Sequence, residues 1–226
     1  MGKGGISLGL ESERFEDVFE SDEVSSQRYL AKLTYGLAAN IDVFAKIGTG
    51  ALSVIPAGAT PESQFTGDSR VAVGGGVRLE SRRMPSLWGC RFFSTLQWLQ
   101  FDSDGEFLRQ ETHKDYTWEE RLETSYTWRE IGAAVGLSRA FEKATVYGGL
   151  AFTHIGGQIH RNQYVLSENG ALKVGEGTED FTEGPGSGLF LGADFPLSST
   201  LQFSTEYQLN DRKHGTLFFG ISERMD

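Results

Sequence analysis

Four histidines and a run of carboxylates are the residues of this 226-residue chain whose types could do chemistry. His154 and His160 share strand parity and flank Gly156 and Gly157, so they could hold a metal ion or, with nearby carboxylates, activate a water. Asp211 and His214 could form an acid–base pair, and His113 lies among charged residues. Carboxylates crowd three stretches. Glu11, Glu13, Glu16, Asp17, Glu20, Asp22 and Glu23 make the first, and Asp102, Asp104, Glu106 and Glu111 the second. Glu168, Glu176, Glu179, Asp180 and Glu183 make the third. Such hard oxygen ligands suit Ca²⁺ or Mg²⁺, but no stretch has the alternating spacing of a calcium loop. The plainer reading is a solvated anionic rim with rim histidines. No catalytic residue, metal or cofactor is therefore assigned. Gly74-Gly75-Gly76 opens no helix, so it reads as close strand packing and not as a phosphate cradle.

The clearest binding signal is aromatic. Tyr116, Trp118, Tyr126 and Trp128 stand among charges in one tract, and aromatic side chains anchor interfaces. They are expected to form a loop interaction surface for a protein partner. The competing reading is an extended hairpin whose aromatics pack on one another. A formal charge of −10 removes nucleic acid as a partner, because a phosphate backbone needs a basic footprint. A single cysteine, Cys90, excludes a disulfide framework.

The elements that must position these groups are strands. Apolar and polar residues alternate with period two in ten segments, near 6–11, 28–37, 41–48, 70–80, 91–101, 130–138, 145–153, 188–195, 201–210 and 216–222. In the fifth, Leu99 and Phe101 break the phase, which predicts a bulge. Short connections alternate with long polar ones. The long ones fall at 18–24, 55–67, 102–124 and 159–185, as in an up-and-down meander trimmed at one end. No linker interrupts the pattern, so residues 1–226 read as one domain.

Alternation alone does not say which solvent the apolar face meets. In a soluble barrel it points inward; in an outer-membrane barrel it meets lipid, and the polar face lines the lumen. Strands of about 10–14 residues suit a tilted membrane strand. Tyr29, Tyr35, Trp98, Phe195 and Tyr207 lie near strand ends on the apolar face, where interfacial girdles form. The opposite face mixes glycine and alanine with Glu11, Lys32, Lys46, Arg70, Arg78, Arg91, Glu130 and Glu206, a charge cluster suited to a narrow lumen. The expected fold is all-β, an antiparallel up-and-down transmembrane β-barrel of ten strands. Ten strands close at a radius of about 10 Å, too narrow for an open porin once side chains fill it.

The segment Thr34-Tyr35-Gly36-Leu37-Ala38-Ala39-Asn40-Ile41-Asp42-Val43-Phe44-Ala45-Lys46-Ile47-Gly48 resembles the strand–turn–strand units of small Gram-negative outer-membrane β-barrels, the OmpA-like and opacity-type group. Gly215-Thr216-Leu217-Phe218-Phe219-Gly220-Ile221-Ser222 is similar to their C-terminal assembly signal, although Glu223-Arg224-Met225-Asp226 follow in place of a terminal aromatic. The resemblance implies the bacterial outer membrane, with a lipid bilayer and lipopolysaccharide as surroundings. It also implies export, although no signal peptide precedes the first strand, so a removed leader is expected. The role it implies is structural or interactive, through long extracellular loops around an occluded lumen. Three other readings stay open. One is a narrow porin-like channel. Another is an omptin-like hydrolase using rim His and Asp. The third is a soluble ligand-binding barrel.

Overall fold

The computed structural model describes residues 4–19, 22–55, 64–81, 88–113, 116–167, 170–210 and 215–225. Side chains at 17–19, 107–113, 116–118, 167, 183–185 and 210 fall outside that description. Every regular element is a strand: β1 (Ile6–Phe19), β2 (Asp22–Ala38), β3 (Ile41–Ile55), β4 (Phe65–Thr66), β5 (Arg70–Glu80), β6 (Arg91–His113), β7 (Tyr116–Ala140), β8 (Thr145–Ser167), β9 (Gly170–Pro196), β10 (Leu201–Asn210) and β11 (Gly215–Met225). Successive strands pair antiparallel except that β5 pairs with β3 and not with β4, and β1 also pairs with β11, so the sheet closes on itself. The closed ring has ten strands. The two-residue β4 is a detached upper piece of the β5 position, pairing with Ser53 and Val54 of β3. Ser103 bridges that interruption: its Oγ accepts from Leu52 N at 3.1 Å and donates to Asp68 O at 3.3 Å.

Closure follows from composition. Glycine dominates the inward positions where walls approach most closely. A Cβ on Gly48 or Gly149 would run into the backbone carbonyl of Tyr29 or Val135 on the adjacent strand. Any larger residue there would force the strands apart.

Connections at one end are short: Ala39-Asn40 between β2 and β3, 141–144 between β7 and β8, and 197–200 between β9 and β10. Ile6 and Met225 pair at that same end. The other end is elaborated, but by paired strand where the sequence suggested loops. Stretches 102–113 and 116–124 continue β6 and β7 in unbroken register from Arg91↔Ser138 to His113↔Tyr116. Most of 159–185 likewise belongs to β8 and β9, which run 23 and 27 residues. Cross-strand hydrogen bonding carries these polar segments well past the length that a bilayer needs, and polarity alone does not end a strand.

The exterior and interior exchange character along the barrel axis. Toward the short-turn end the outward side chains are apolar: Leu8, Leu10, Leu33, Ile47, Leu96, Val135, Leu150, Leu191, Phe219 and Ile221 are all exposed. Toward the long end the inward side chains are apolar and buried. Phe15, Val24, Leu52, Val54, Phe65, Phe101, Tyr126, Trp128 and Ile155 form one core, with Ile159 and Phe181 packed against it. The phase change at Leu99 and Phe101 is part of this exchange. Neither β5–β6 nor β6–β7 shows a register shift there, so the expected bulge is absent. The outward residues meet lipid below that level and water above it, and the buried face changes accordingly.

Candidate functional site

The charged side chains of the lumen converge where the two regimes meet. On β1, β2 and β3, Glu11, Glu13, Arg28, Lys32 and Lys46 all point inward, because residues two apart share a face. Lys46 Nζ lies 2.9 Å from both Glu11 Oε2 and Glu13 Oε1, and Lys32 Nζ lies 3.0 Å from Glu11 Oε1. Arg28 closes the set. Its Nη1 is 3.5 Å from Glu13 Oε2 and its Nη2 is 2.8 Å from Glu130 Oε2. Glu130 stands on β7, four strands around the ring from β2, so this ion pair crosses the lumen. Three carboxylates balance three cations.

Aromatic rings wall in the crossing. The Arg28 guanidinium lies 5.6, 5.5 and 5.9 Å from the ring centroids of Phe15, Phe101 and Trp128. Arg28 and Trp128 are each 1% exposed. Phe101 stacks on Trp128 at 6.0 Å, Phe15 meets it edge-on at 5.7 Å, and Phe181 contacts it at 6.1 Å. Trp128 Nε1 donates to Glu130 Oε2 at 3.4 Å. An arginine suits this place because its flat, weakly hydrated cation stacks on rings and still forks toward carboxylates. Nearer the short-turn end a second aromatic group, Phe93 of β6, Tyr147 of β8 and Phe190 of β9, packs inside one wall of the barrel with centroids 5.9–6.3 Å apart. Arg78 lies 4.4 Å over Phe93.

The residues expected from sequence are distributed unevenly. Glu11, Lys32, Lys46 and Glu130 belong to the crossing network. Arg78 and Glu206 lie lower in the lumen, half-buried. Arg70 and Arg91 do not join them. Arg70 pairs with Asp104 at 3.0 Å near the long end, and Arg91 pairs with Glu80 at 3.5 Å near the short turns, both largely exposed. Of the expected aromatic surface, Tyr126 and Trp128 are a correction: both are buried inside the barrel. A surface loop would leave both exposed, but the continuous register with β6 makes this tract strand and turns Phe101, Trp128 and Tyr126 into the interior. The side chains of Tyr116 and Trp118 fall outside the described residues. Arg28 and Glu13 were missed as a lumen pair. Their signal was present, since each shares inward parity with a residue already assigned, Lys32 and Glu11.

His154 faces outward and is exposed. His160 Nδ1 lies 3.0 Å from Thr178 Oγ1, and the residue edges an open cleft of about 520 Å³ lined by Asp68, Asp104, Glu106 and Glu123 among others. Ser125 Oγ donates to Asp104 within that cleft. The side chain of His113 and all of Asp211 and His214 lie outside the described residues. Among the described residues no group of three or more His, Cys, Asp or Glu is arranged to hold a metal ion. On the β8–β9 hairpin the Lys173 ammonium, 2.7 Å from Glu176, holds that carboxyl below the usual range by hydrogen bond and charge.

No helix of the described residues is long and apolar enough to cross a membrane, which says nothing about strands. The outward apolar positions decide the matter. Exposed large apolar residues stand on all ten ring strands, three or more on most of them, and form the outward apolar band of a membrane-spanning barrel. Tyr29, Trp98 and Tyr207 lie on the exterior within it. The translocator domain of the autotransporter NalP from Neisseria meningitidis has a similar fold, with a TM-score of 0.55 at 12% identity over 100% of this chain and 89% of that one. The chain is an outer-membrane β-barrel. The barrel also aligns with an outer-membrane channel from Pseudomonas putida F1 (TM-score 0.46, 8% identity, 100% and 97% covered). A further alignment is with Ail, the attachment invasion locus protein of Yersinia pestis (TM-score 0.36, 12% identity, 99% of each chain). No protein-family model matches the sequence, and no curated protein matches it.

Proposed function

We propose that the barrel is a non-conducting outer-membrane protein whose working surface is its extracellular extension, where it meets a protein partner or the lipopolysaccharide layer. The observation that carries this reading is the Arg28–Glu130 ion pair across the lumen, walled by Phe15, Phe101 and Trp128. A hydrated ion would have to displace a desolvated, charge-neutral network to pass, and the lower aromatic group narrows the lumen again. The extension also has the build of an independent folded surface: polar outside, apolar inside, and stiffened by the long hairpins β6–β7 and β8–β9. No catalytic role is assigned to the barrel.

Planar-bilayer recording tests the proposal. The refolded wild-type barrel is expected to give no discrete current steps, and Trp128→Ala is expected to introduce small ones by opening the wall around Arg28. Reproducible, ion-selective steps from the wild type would replace this reading with the narrow channel.

A further inference from the structure

The outer face of β6, β7 and β8 changes character over three successive rows. Cross-strand register aligns Leu96, Ala133 and Phe152 in one row and Trp98, Ile131 and His154 in the next. Gln100, Arg129 and Gly156 form the third. Leu96, Phe152, Trp98 and Ile131 are exposed apolar residues of the lipid belt. Arg129 and His154 are exposed as well. The row above begins the acidic exterior, with Asp102 beside Thr127 and Gln158, the last bonded to Asp180 at 2.9 Å. Arg129 and, one row below it, His154 therefore stand between hydrocarbon and a negatively charged surface.

Three details make this boundary a seat for an anion that is also a lipid. Arg129 has no ion-pair partner among the described residues. Its row-mate Gly156 carries no side chain to cover it, and that glycine is not demanded by packing: a Cβ there would meet only Phe181 O at 3.4 Å and Thr182 Oγ1 at 3.6 Å. Directly below Arg129 on the outer face of β7 stand Ile131 and Ala133, flanked by Trp98, Leu96 and Phe152 of the lipid belt. Arg129 and His154 are diagonal neighbours on adjacent strands, a separation of about 7–8 Å that one phosphate group can span by hydrogen bonds to both.

We propose that this face binds a phosphorylated, acylated lipid of the outer leaflet, with its phosphate between Arg129 and His154 and its acyl chains on the apolar belt of Trp98, Ile131, Leu96 and Phe152. The guanidinium supplies two parallel N–H donors to the phosphate, and the imidazole supplies a third from below. The acidic rows above exclude the phosphate from any higher position. The inference rests on the lipid-facing assignment of the belt and is independent of whether the lumen conducts.

Native mass spectrometry of the barrel folded in dodecylmaltoside, mixed with lipid A or with dephosphorylated lipid A, provides the test. The wild type is expected to retain one lipid A. Arg129→Gln and His154→Gln should each weaken retention about tenfold, the loss expected for a charge-assisted hydrogen bond. Dephosphorylated lipid A should bind the wild type no better than lipid A binds Arg129→Gln. Arg14→Gln, an outward cation of β1 already paired with Glu16 at 2.6 Å, should bind as the wild type does. A heat-modifiable gel shift establishes that each variant is folded. Equal retention by a folded Arg129→Gln, His154→Gln double variant would overturn the proposal, as would equal retention of the dephosphorylated lipid or an equal loss in Arg14→Gln. Current steps in the bilayer experiment would leave it standing and bear on the proposed function alone.

Discussion

Replacing Arg28 with methionine keeps most of the side-chain volume and removes only the charge that crosses the lumen. Glu130, 2.8 Å from the guanidinium, then keeps, among the described residues, only the 3.4 Å donation from Trp128, whereas Glu13 retains Lys46 at 2.9 Å. The balanced network is left with three carboxylates against two cations. With an effective dielectric near 20, the lost attractions are worth about 6 and about 5 kcal/mol at these separations. Relief from burying the guanidinium offsets a large share, and breaking a buried pair costs about 3–5 kcal/mol net. Urea unfolding of the barrel in lipid vesicles, followed by tryptophan fluorescence and by the gel shift, measures that loss. Adding Glu130→Gln to Arg28→Met removes the stranded charge and should return about 1–3 kcal/mol. The reasoning fails if Arg28→Met unfolds within about 0.5 kcal/mol of wild type, or if the double variant is no more stable than the single one.

The exchange of polarity along the axis makes a paired prediction. Leu150→Arg, in the belt, should cost about 2–4 kcal/mol in the same unfolding assay, while Thr127→Arg, outward on the same sheet but above the belt, should cost under about 0.5 kcal/mol. Comparable costs at the two sites would mean that the boundary has been placed at the wrong level. Gly149→Ala should destabilise the barrel by about 1–3 kcal/mol or more, because its Cβ meets the carbonyl of Val135 with only backbone to yield. Gly177→Ala, with open space around it, should leave the gel shift and the unfolding midpoint unchanged. A folded Gly149→Ala of wild-type stability would show that the strands close less tightly than the register implies.

The period-two pattern determined the strand class, the ten ring strands, the short-turn end and the outward set from Leu8 to Ile221, because on a strand parity alone decides which face a residue takes. Aromatic placement then told lipid from core within the belt. Parity also carried Lys46 and Glu130 into the lumen before any contact was known. What it could not do was say where a strand ends or what lies across the ring. The 102–124 and 159–185 stretches are polar on both sides of a turn signal, and only pairing partners make them strand. Trp128 and Tyr126 look like an exposed aromatic patch in sequence because charges surround them. Trp128 packs on Phe101 of the neighbouring β6 and on Phe15 of β1 across the closed sheet, and Tyr126 packs on Phe65 of β4 and Phe181 of β9. The Arg28–Glu130 pair is likewise a property of closure. Its two members lie 102 positions apart in the chain, and only curling the sheet into a ring brings β2 and β7 face to face across the lumen.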